Sequence, residues 1–411
     1  MQVIHARCAG LDVHKKTVVA CVWLTPESGR GQKQTRSFGT TTGELLALCD
    51  WLKAEAVTLV AMEATGVYWW PIYNVLEGAE IEALVVNAHH VKAVPGRKTD
   101  VADAEWIGDL LRHGLVRGGF VPPRPQRELR ELTRHRAALV ARRAGVVQEM
   151  HRALESTNIK LSSVVSDLTG LSATAMLREL IAGRSDPVAL AALAQGRLRA
   201  KSAALQAALV GVVGEHHRLI LAQLLADIEL FEEQIATVGM ELEKRLAAQR
   251  ELMERLDEIP GINQRVAEVI MAEVGSDMSR FPSEGHLISW AGLCPGQNES
   301  AGKRKKSRVR KGNRALKQAL IEAAHGAARS KGYLAAMCRR LTVRRGKKRA
   351  LMAVARTLLA TAYHLIDRGT RYQDLGADYF DRRQAPRTIK RLTARLGQLG
   401  YEVTLTPTFS G

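Results

Sequence analysis

Apolar residues in the opening part of the chain come in short runs rich in β-branched side chains, parted by polar turns. Cys8–Val13, Thr17–Leu24 and Gln34–Phe38 read as strands. The polar link His14-Lys15-Lys16 is short enough to make the first two antiparallel neighbours. Glu44–Glu55 changes to three-and-four spacing, the mark of an amphipathic helix, with Thr40 to Thr42 available as caps. Val57-Thr58-Leu59-Val60-Ala61-Met62 is again of strand length, and its unbroken apolar character predicts a strand covered on both faces. Gly66 ends it, and a helix over Tyr68–Leu76 and a strand over Ile81–Val86 follow.

From Arg127 to Arg250 the pattern is of long helices, interrupted at Gly170, Gly183–Pro187 and Gly211–Gly214. Leu224, Ile228, Phe231, Ile235, Val238 and Leu242 recur at intervals of three and four, which fits a long amphipathic or coiled-coil helix. Such a stripe faces either the core of its own subunit or an oligomerising seam. Beyond Leu252, Ile259-Pro260-Gly261-Ile262 reads as a tight turn into a helix near Ala267–Gly275. A turn of that kind presents backbone N–H groups to a DNA phosphate, and it also occurs in proteins that never meet DNA. Ala315–Ala328 reads as a helix, and the tail after Gly369 is polar and basic with no element predicted.

These patterns divide the chain into an α/β domain over 1–125, a helical coiled-coil region over 126–250, a mainly α domain over 251–370 and a basic tail over 371–411. Three opening strands, a helix and further alternating units describe an RNase H-like sheet. A Rossmann-type sheet fits less well, because the first strands are antiparallel and no GxGxxG is present.

With 411 residues, two or three domains are expected. The formal net charge of +18 points to a polyanionic partner, since release of counterions from phosphates drives such binding. A ribosome-associated or merely basic protein has the same charge. The cysteines Cys8, Cys21, Cys49, Cys294 and Cys338 form no CxxC pair, which argues against a zinc ribbon or a disulfide framework. Neither a signal peptide nor a membrane span is visible, so a soluble cytoplasmic protein is expected.

Four acids stand out by position. Asp12 interrupts an apolar β-run, Glu63 ends the most hydrophobic strand, and Asp100 and Asp103 lie three apart, on one face if helical. An acid at the end of a core strand needs a partner or a metal. Gathered carboxylates suit two Mg²⁺ ions (or Mn²⁺ in their place), which, roughly 4 Å apart, clamp the attacking and leaving oxygens of an in-line phosphoryl displacement. Each acid also has a plain reading: Asp12 as a turn acid beside Lys15 and Lys16, Glu63 paired with an arginine, Asp100 as an N-cap with Asp103 favouring the helix dipole.

Between Cys294 and Arg314 the only acid is Glu299, while Lys303, Arg304, Lys305, Lys306, Arg308, Arg310, Lys311 and Arg314 form a single-sign block suited to phosphate. Ser300 opens this block in a small-residue turn, Ser300-Ala301-Gly302, where neighbouring cations would stabilise an alkoxide and a pentavalent phosphorus. No His or Asp stands beside it as a base, and most loop serines cap or solvate.

The chain resembles the transposases of the insertion sequence 110 family, the DEDD transposases or bridge-RNA-guided recombinases. The match is carried by Gly10-Leu11-Asp12-Val13-His14-Lys15, Met62-Glu63-Ala64-Thr65-Gly66 and Lys98-Thr99-Asp100-Val101-Ala102-Asp103-Ala104. In the C-terminal part it is carried by Ile259-Pro260-Gly261-Ile262, Trp290-Ala291-Gly292-Leu293-Cys294-Pro295, Ser300-Ala301-Gly302-Lys303 and Lys311-Gly312-Asn313. The resemblance implies a RuvC-like N-terminal domain with Asp12, Glu63, Asp100 and Asp103 as the metal site. It implies a C-terminal transposase domain, with a helix-hairpin-helix-like turn, in which Ser300 is the nucleophile and forms a transient phosphoserine link to DNA. Donor and target DNA, a structured guide RNA and a homodimer or homotetramer are the implied partners, in a prokaryotic cytoplasm at the nucleoid. Ala301 departs from the glycine expected at its position. A RuvC-like junction resolvase without the serine step, and a binding module whose acids are structural, remain as other readings. An actin-like ATPase is disfavoured, because glycine-rich phosphate loops and a second similar sheet domain are not visible.

Overall fold

The computed structural model describes residues 2–26, 31–64, 66–86, 103–295, 299–300, 303–304 and 312–405. The chain forms two compact units, Met1–Pro122 and Pro123–Gly411.

The first unit is built on five strands: β1 (Arg7–Val13), β2 (Thr17–Leu24), β3 (Gln32–Gly39), β4 (Leu59–Glu63) and β5 (Glu82–Val86). Helices α1 (Thr42–Ala54), α2 (Trp69–Gly78) and α3 (Asp103–Arg112) complete it. The sheet order is β3-β2-β1-β4-β5, with β1, β2 and β3 antiparallel and β1, β4 and β5 parallel. That order and sense make the sheet RNase H-like, as the antiparallel opening strands anticipated.

Alternation along the central strands sorts their side chains between two cores. Ala9, Leu11, Val13, Val60 and Met62 pack with Leu48, Leu52, Ile72 and Leu76 of α1 and α2. Cys8, Leu59, Ala61 and Val86 pack on the other face with Ile107, Leu110 and Leu111 of α3. Covering on both faces is why β4 is apolar at every position up to Glu63. One local expectation differs. Thr41 holds the N-cap position of α1, but no threonine side chain caps it; instead the Glu44 carboxylate accepts from the Gly39 N–H at 3.1 Å.

The described elements of the second unit are nearly all helical. Its frame is an antiparallel pair, α4 (Arg124–Ser156) and α8 (Glu215–Arg245). Arg245–Glu128 at 2.7 Å ties one end of this pair and Arg143 Nε–Glu232 at 3.0 Å its middle. Between them run α5 (Leu171–Ile181), α6 (Pro187–Ala192) and α7 (Ser202–Ala208). Gly170 and Gly214 occupy the N-cap positions of α5 and α8, and Asp186 caps α6 ahead of Pro187, so the sequence breakers fall at helix starts. In the α8 stripe Ile228 and Leu242 are buried, and Leu224, Phe231, Ile235 and Val238 are half-buried within the chain. Intrachain packing therefore takes up part of that stripe.

The remaining helices are α9 (Arg250–Asp257), α10 (Gln264–Glu273), α11 (Glu284–Trp290), α12 (Arg314–Ala327), α13 (Tyr333–Arg345), α14 (Lys347–Arg368) and α15 (Tyr379–Gln398). The turn before α10 is largely internal: Ile259 and Ile262 are buried, and the Asn263 side chain accepts from the Val266 N–H at 3.1 Å. A helix, α15, lies in the tail where none was expected. Its polar composition hid the apolar anchor at its start, where Tyr379 and Phe380 pack on Tyr333 of α13. No described helix is long and apolar enough to cross a membrane.

Candidate active site

Two of the four candidate acids stand side by side at the ends of central strands. The parallel register pairs Leu11 with Met62, so Asp12 and Glu63 follow one step further along β1 and β4. By alternation both share the face of Gly10 and Ala61, the face that α3 covers. Asp103 is the first residue of α3 and is exposed. Asp100 lies outside the described residues.

Pairing separates these acids from their neighbours. Glu105 binds Lys33 at 2.6 Å, and Asp109 binds Arg112 at 2.8 Å. Among the described residues Asp12, with its side chain 21% exposed, pairs with His14 Nε2 at 3.0 Å. Among the described residues, Glu63 and Asp103 have no ion-pair partner, so the arginine partner conceivable for Glu63 is not found. Among the described residues no three His, Cys, Asp or Glu side chains are drawn together as a formed metal group. The donor set nevertheless fits a hard divalent cation. It consists of carboxylates on one sheet face, and no lysine or arginine among the described residues neutralises them.

Glycine decides how closely α3 approaches these strands. A Cβ on Gly10 would lie 2.2 Å from the Ala104 carbonyl and 2.3 Å from the Gly108 nitrogen, both backbone atoms. The first turn of α3 therefore rests directly on β1, two residues from Asp12. Gly10→Ala is expected to push α3 away and cost about 1–3 kcal/mol, because no rotamer change relieves a backbone clash. Urea unfolding measures this; an unchanged midpoint would show that the contact is not as tight as the structure places it.

Ser300 lies in the second unit, at the end of the two-residue strand β6 (Glu299–Ser300), paired with Lys303 of β7 (Lys303–Arg304). Lys305, Lys306, Arg308, Arg310 and Lys311 lie outside the described residues, and Arg314 is exposed at the start of α12. The described residues on either side of this segment meet each other. Before it, the Gly292 turn ends α11; after it, a Cβ on Gly312 would lie 2.4 Å from the Gly292 nitrogen. The entry and exit of the segment thus touch backbone to backbone. Asn313 caps α12 by accepting from the Leu316 N–H at 3.0 Å, and its Nδ2 donates to Glu273 Oε2 at 2.6 Å.

Glu273 is 0% exposed and is the hub of a buried ionic cluster. Arg134 grips both its oxygens, at 2.8 and 2.9 Å, and Arg130 Nε lies 3.2 Å away. Burial lowers the Arg130 pKa to about 10, which leaves it charged at neutral pH, and its guanidinium lies 5.7 Å from the Trp290 ring centroid. Removing one member of such a group strands buried charge. Glu273→Ala is expected to destabilise the second unit by about 3–5 kcal/mol and to loosen the exit of the Ser300 segment. Thermal unfolding together with strand transfer tests both parts, and a stable, fully active variant would refute the anchor.

Sequence reasoning missed this cluster, because arginines at 127, 130 and 134 are spaced as one helix face and charge on a helix face usually means solvent. It also missed the contact of His14 with Asp12, although the two residues sit two apart in the same motif.

Two family models match stretches of this chain. The model DEDD_Tnp_IS110, described as Transposase, matches residues 9–159, and the model described as Transposase IS116/IS110/IS902 family matches residues 253–338. Among curated proteins none matches this chain. Among solved structures, that of RuvC from Thermus thermophilus matches with 13% identity, covering 28% of this chain and 99% of that one, at a TM-score of 0.22.

Proposed function

The chain belongs to the IS110 family of transposases and is thus a DNA recombinase; on that premise we propose that it exchanges donor and target strands through Ser300 together with the DEDD acids, under the guidance of a structured RNA. The observation that carries this reading is the set of strand-end carboxylates, Asp12 and Glu63 with Asp103 at the covering helix, which no lysine or arginine among the described residues neutralises while their neighbours are salt-bridged.

In this reading Asp12, Glu63, Asp100 and Asp103 would hold Mg²⁺, which would supply charge to offset repulsion among the acids and to polarise a phosphate. The Ser300 Oγ forms a bond to phosphorus as the bond to a deoxyribose oxygen breaks, and that oxygen leaves with a proton. Attack by an incoming strand's hydroxyl on the phosphoserine reverses the step, so no phosphodiester energy is lost to water. The single-sign block Lys303, Arg304, Lys305, Lys306, Arg308, Arg310, Lys311 and Arg314 holds the DNA phosphates and lowers the cost of the serine alkoxide. The acids and the serine belong to different compact units. In this proposal a partner subunit's acids complete the centre within a homodimer or homotetramer.

Guidance is tested by strand transfer between labelled donor and target DNA, with and without RNA transcribed from the flanks of the element. Product that depends on RNA and vanishes after RNase treatment is expected. Product indifferent to RNase would remove the guide RNA from the proposal.

A further inference from the structure

A second concentration of positive charge follows the Ser300 segment in the chain. From Lys331 to Ile366 the sequence has no acid, while Arg339, Arg340, Arg344, Arg345, Lys347 and Lys348 crowd its middle. Helices α13 and α15 flank an open cavity of about 770 Å³ there, lined by Arg340, Arg344 and Arg383 together with Tyr333, Phe380 and Met337. Among the described residues none of these three arginines is in an ion pair. Arg340 donates to the neutral Gln384 at 2.7 Å, and Arg383 to the Tyr379 hydroxyl at 3.3 Å.

Flat groups stand beside these cations. The Phe380 ring stacks on Tyr333, with centroids 5.3 Å apart and planes 18° apart, and the Arg340 guanidinium lies 5.2 Å from the Phe380 centroid. Like charges held around a cavity without a counterion call for an anion, and the aromatic lining selects among anions. An acidic peptide satisfies the charge and leaves the rings unused. A nucleotide uses both, with its base on the planar lining and its phosphate on the guanidinium groups. A duplex, whose bases are already stacked, uses only the charge.

We propose that the cavity between α13 and α15 takes an unpaired nucleotide of single-stranded nucleic acid, its phosphate held by Arg344 and Arg383 and its base against the Tyr333–Phe380 pair. This rests on reading the chain as a nucleic-acid recombinase. Separate single strands of DNA and RNA share the recognised chemistry, and the two probes below tell them apart.

The test uses the full chain freed of co-purifying nucleic acid, with fluorescent oligo-dT, oligo-rU and a duplex of equal length, read by anisotropy at one salt concentration. Arg344 and Arg383 are exposed, so Arg344→Ala/Arg383→Ala is expected to fold normally. It is expected to weaken binding of one or both single strands about tenfold and of the duplex by less than about threefold. A strand containing 2-aminopurine is expected to be quenched by the wild-type protein and less so by Phe380→Leu, compared at matched melting temperatures. Equal losses on single strand and duplex, no loss on either, or displacement of the oligonucleotides by poly-glutamate as readily as by oligo-rU would overturn the proposal. Wild-type protein that binds single strands yet never exchanges DNA would instead sink the recombinase reading and leave the cavity's role intact.

Discussion

Asp12→Ala is expected to abolish strand cleavage and strand transfer, lowering the rate by about a thousandfold or more, while DNA and RNA binding persist. The reason lies in where Asp12 stands. Its strand is central, its neighbour in register is Glu63, and its face is the one that α3 covers with Asp103 at its start. A side chain so placed contributes little to packing, because it is half-buried and its face of β1 carries only Cys8 and Gly10 beside it, while Leu11 and Val13 fill the opposite core. Loss of activity without loss of stability is therefore the signature of a reaction role. Strand transfer on a preformed nucleic-acid complex, read beside thermal unfolding, measures both. Intact recombination by the variant would remove the carboxylates from the chemistry. His14→Ala serves as a milder companion, since the imidazole touches Asp12 at 3.0 Å without belonging to the acid set. A reduction of about tenfold or less is expected there.

Ser300→Ala is expected to eliminate covalent protein–DNA adducts and to reduce recombination by about a thousandfold or more. The wild-type protein, denatured during turnover, should retain labelled DNA in a denaturing gel, and the variant should not. The serine belongs to a hairpin segment whose entry and exit meet at Gly292 and Gly312, held by Asn313 and the buried Glu273. A scaffold held in this way is the kind that would position the proposed nucleophile and so contribute to rate. Wild-type cleavage without an adduct, together with an unaffected Ser300→Ala, would favour hydrolysis by metal-activated water, the chemistry of a junction resolvase. If both Asp12→Ala and Ser300→Ala were neutral, the protein would be a binding module.

Much of the first unit was legible from periodicity. A continuous apolar run names β4, because only a strand covered on both faces needs no polar side, and strand length sets β1 and β2 within a residue or so. Caps were less legible. Thr40, Thr41 and Thr42 all suit the start of α1, and which of them caps depends on the path of β3 into the turn, where Glu44 takes the role instead. The helix α15 escaped notice because its stabilising contact, Tyr379 and Phe380 on Tyr333, joins residues far apart in the chain.

The sequence by itself determined the alternation of strands and helices, the basic balance and the identity of the candidate groups: Asp12, Glu63, Asp100, Asp103 and Ser300. Those features are local, since a period of two or of three to four and the ionic character of a side chain depend on a few neighbouring residues. Tertiary structure alone decided which of the described groups share a face and which charges lack partners. Asp12 comes beside Glu63 only through the parallel pairing of β1 with β4, and Gly10 lets the first turns of α3, the helix that Asp103 begins, rest on the backbone of β1. For the same reason the buried Arg130 and the exposed Arg134 of α4 close together on the buried Glu273. Their spacing was visible in the chain, but burial is a property of what packs against them, and that comes from residues more than a hundred positions away.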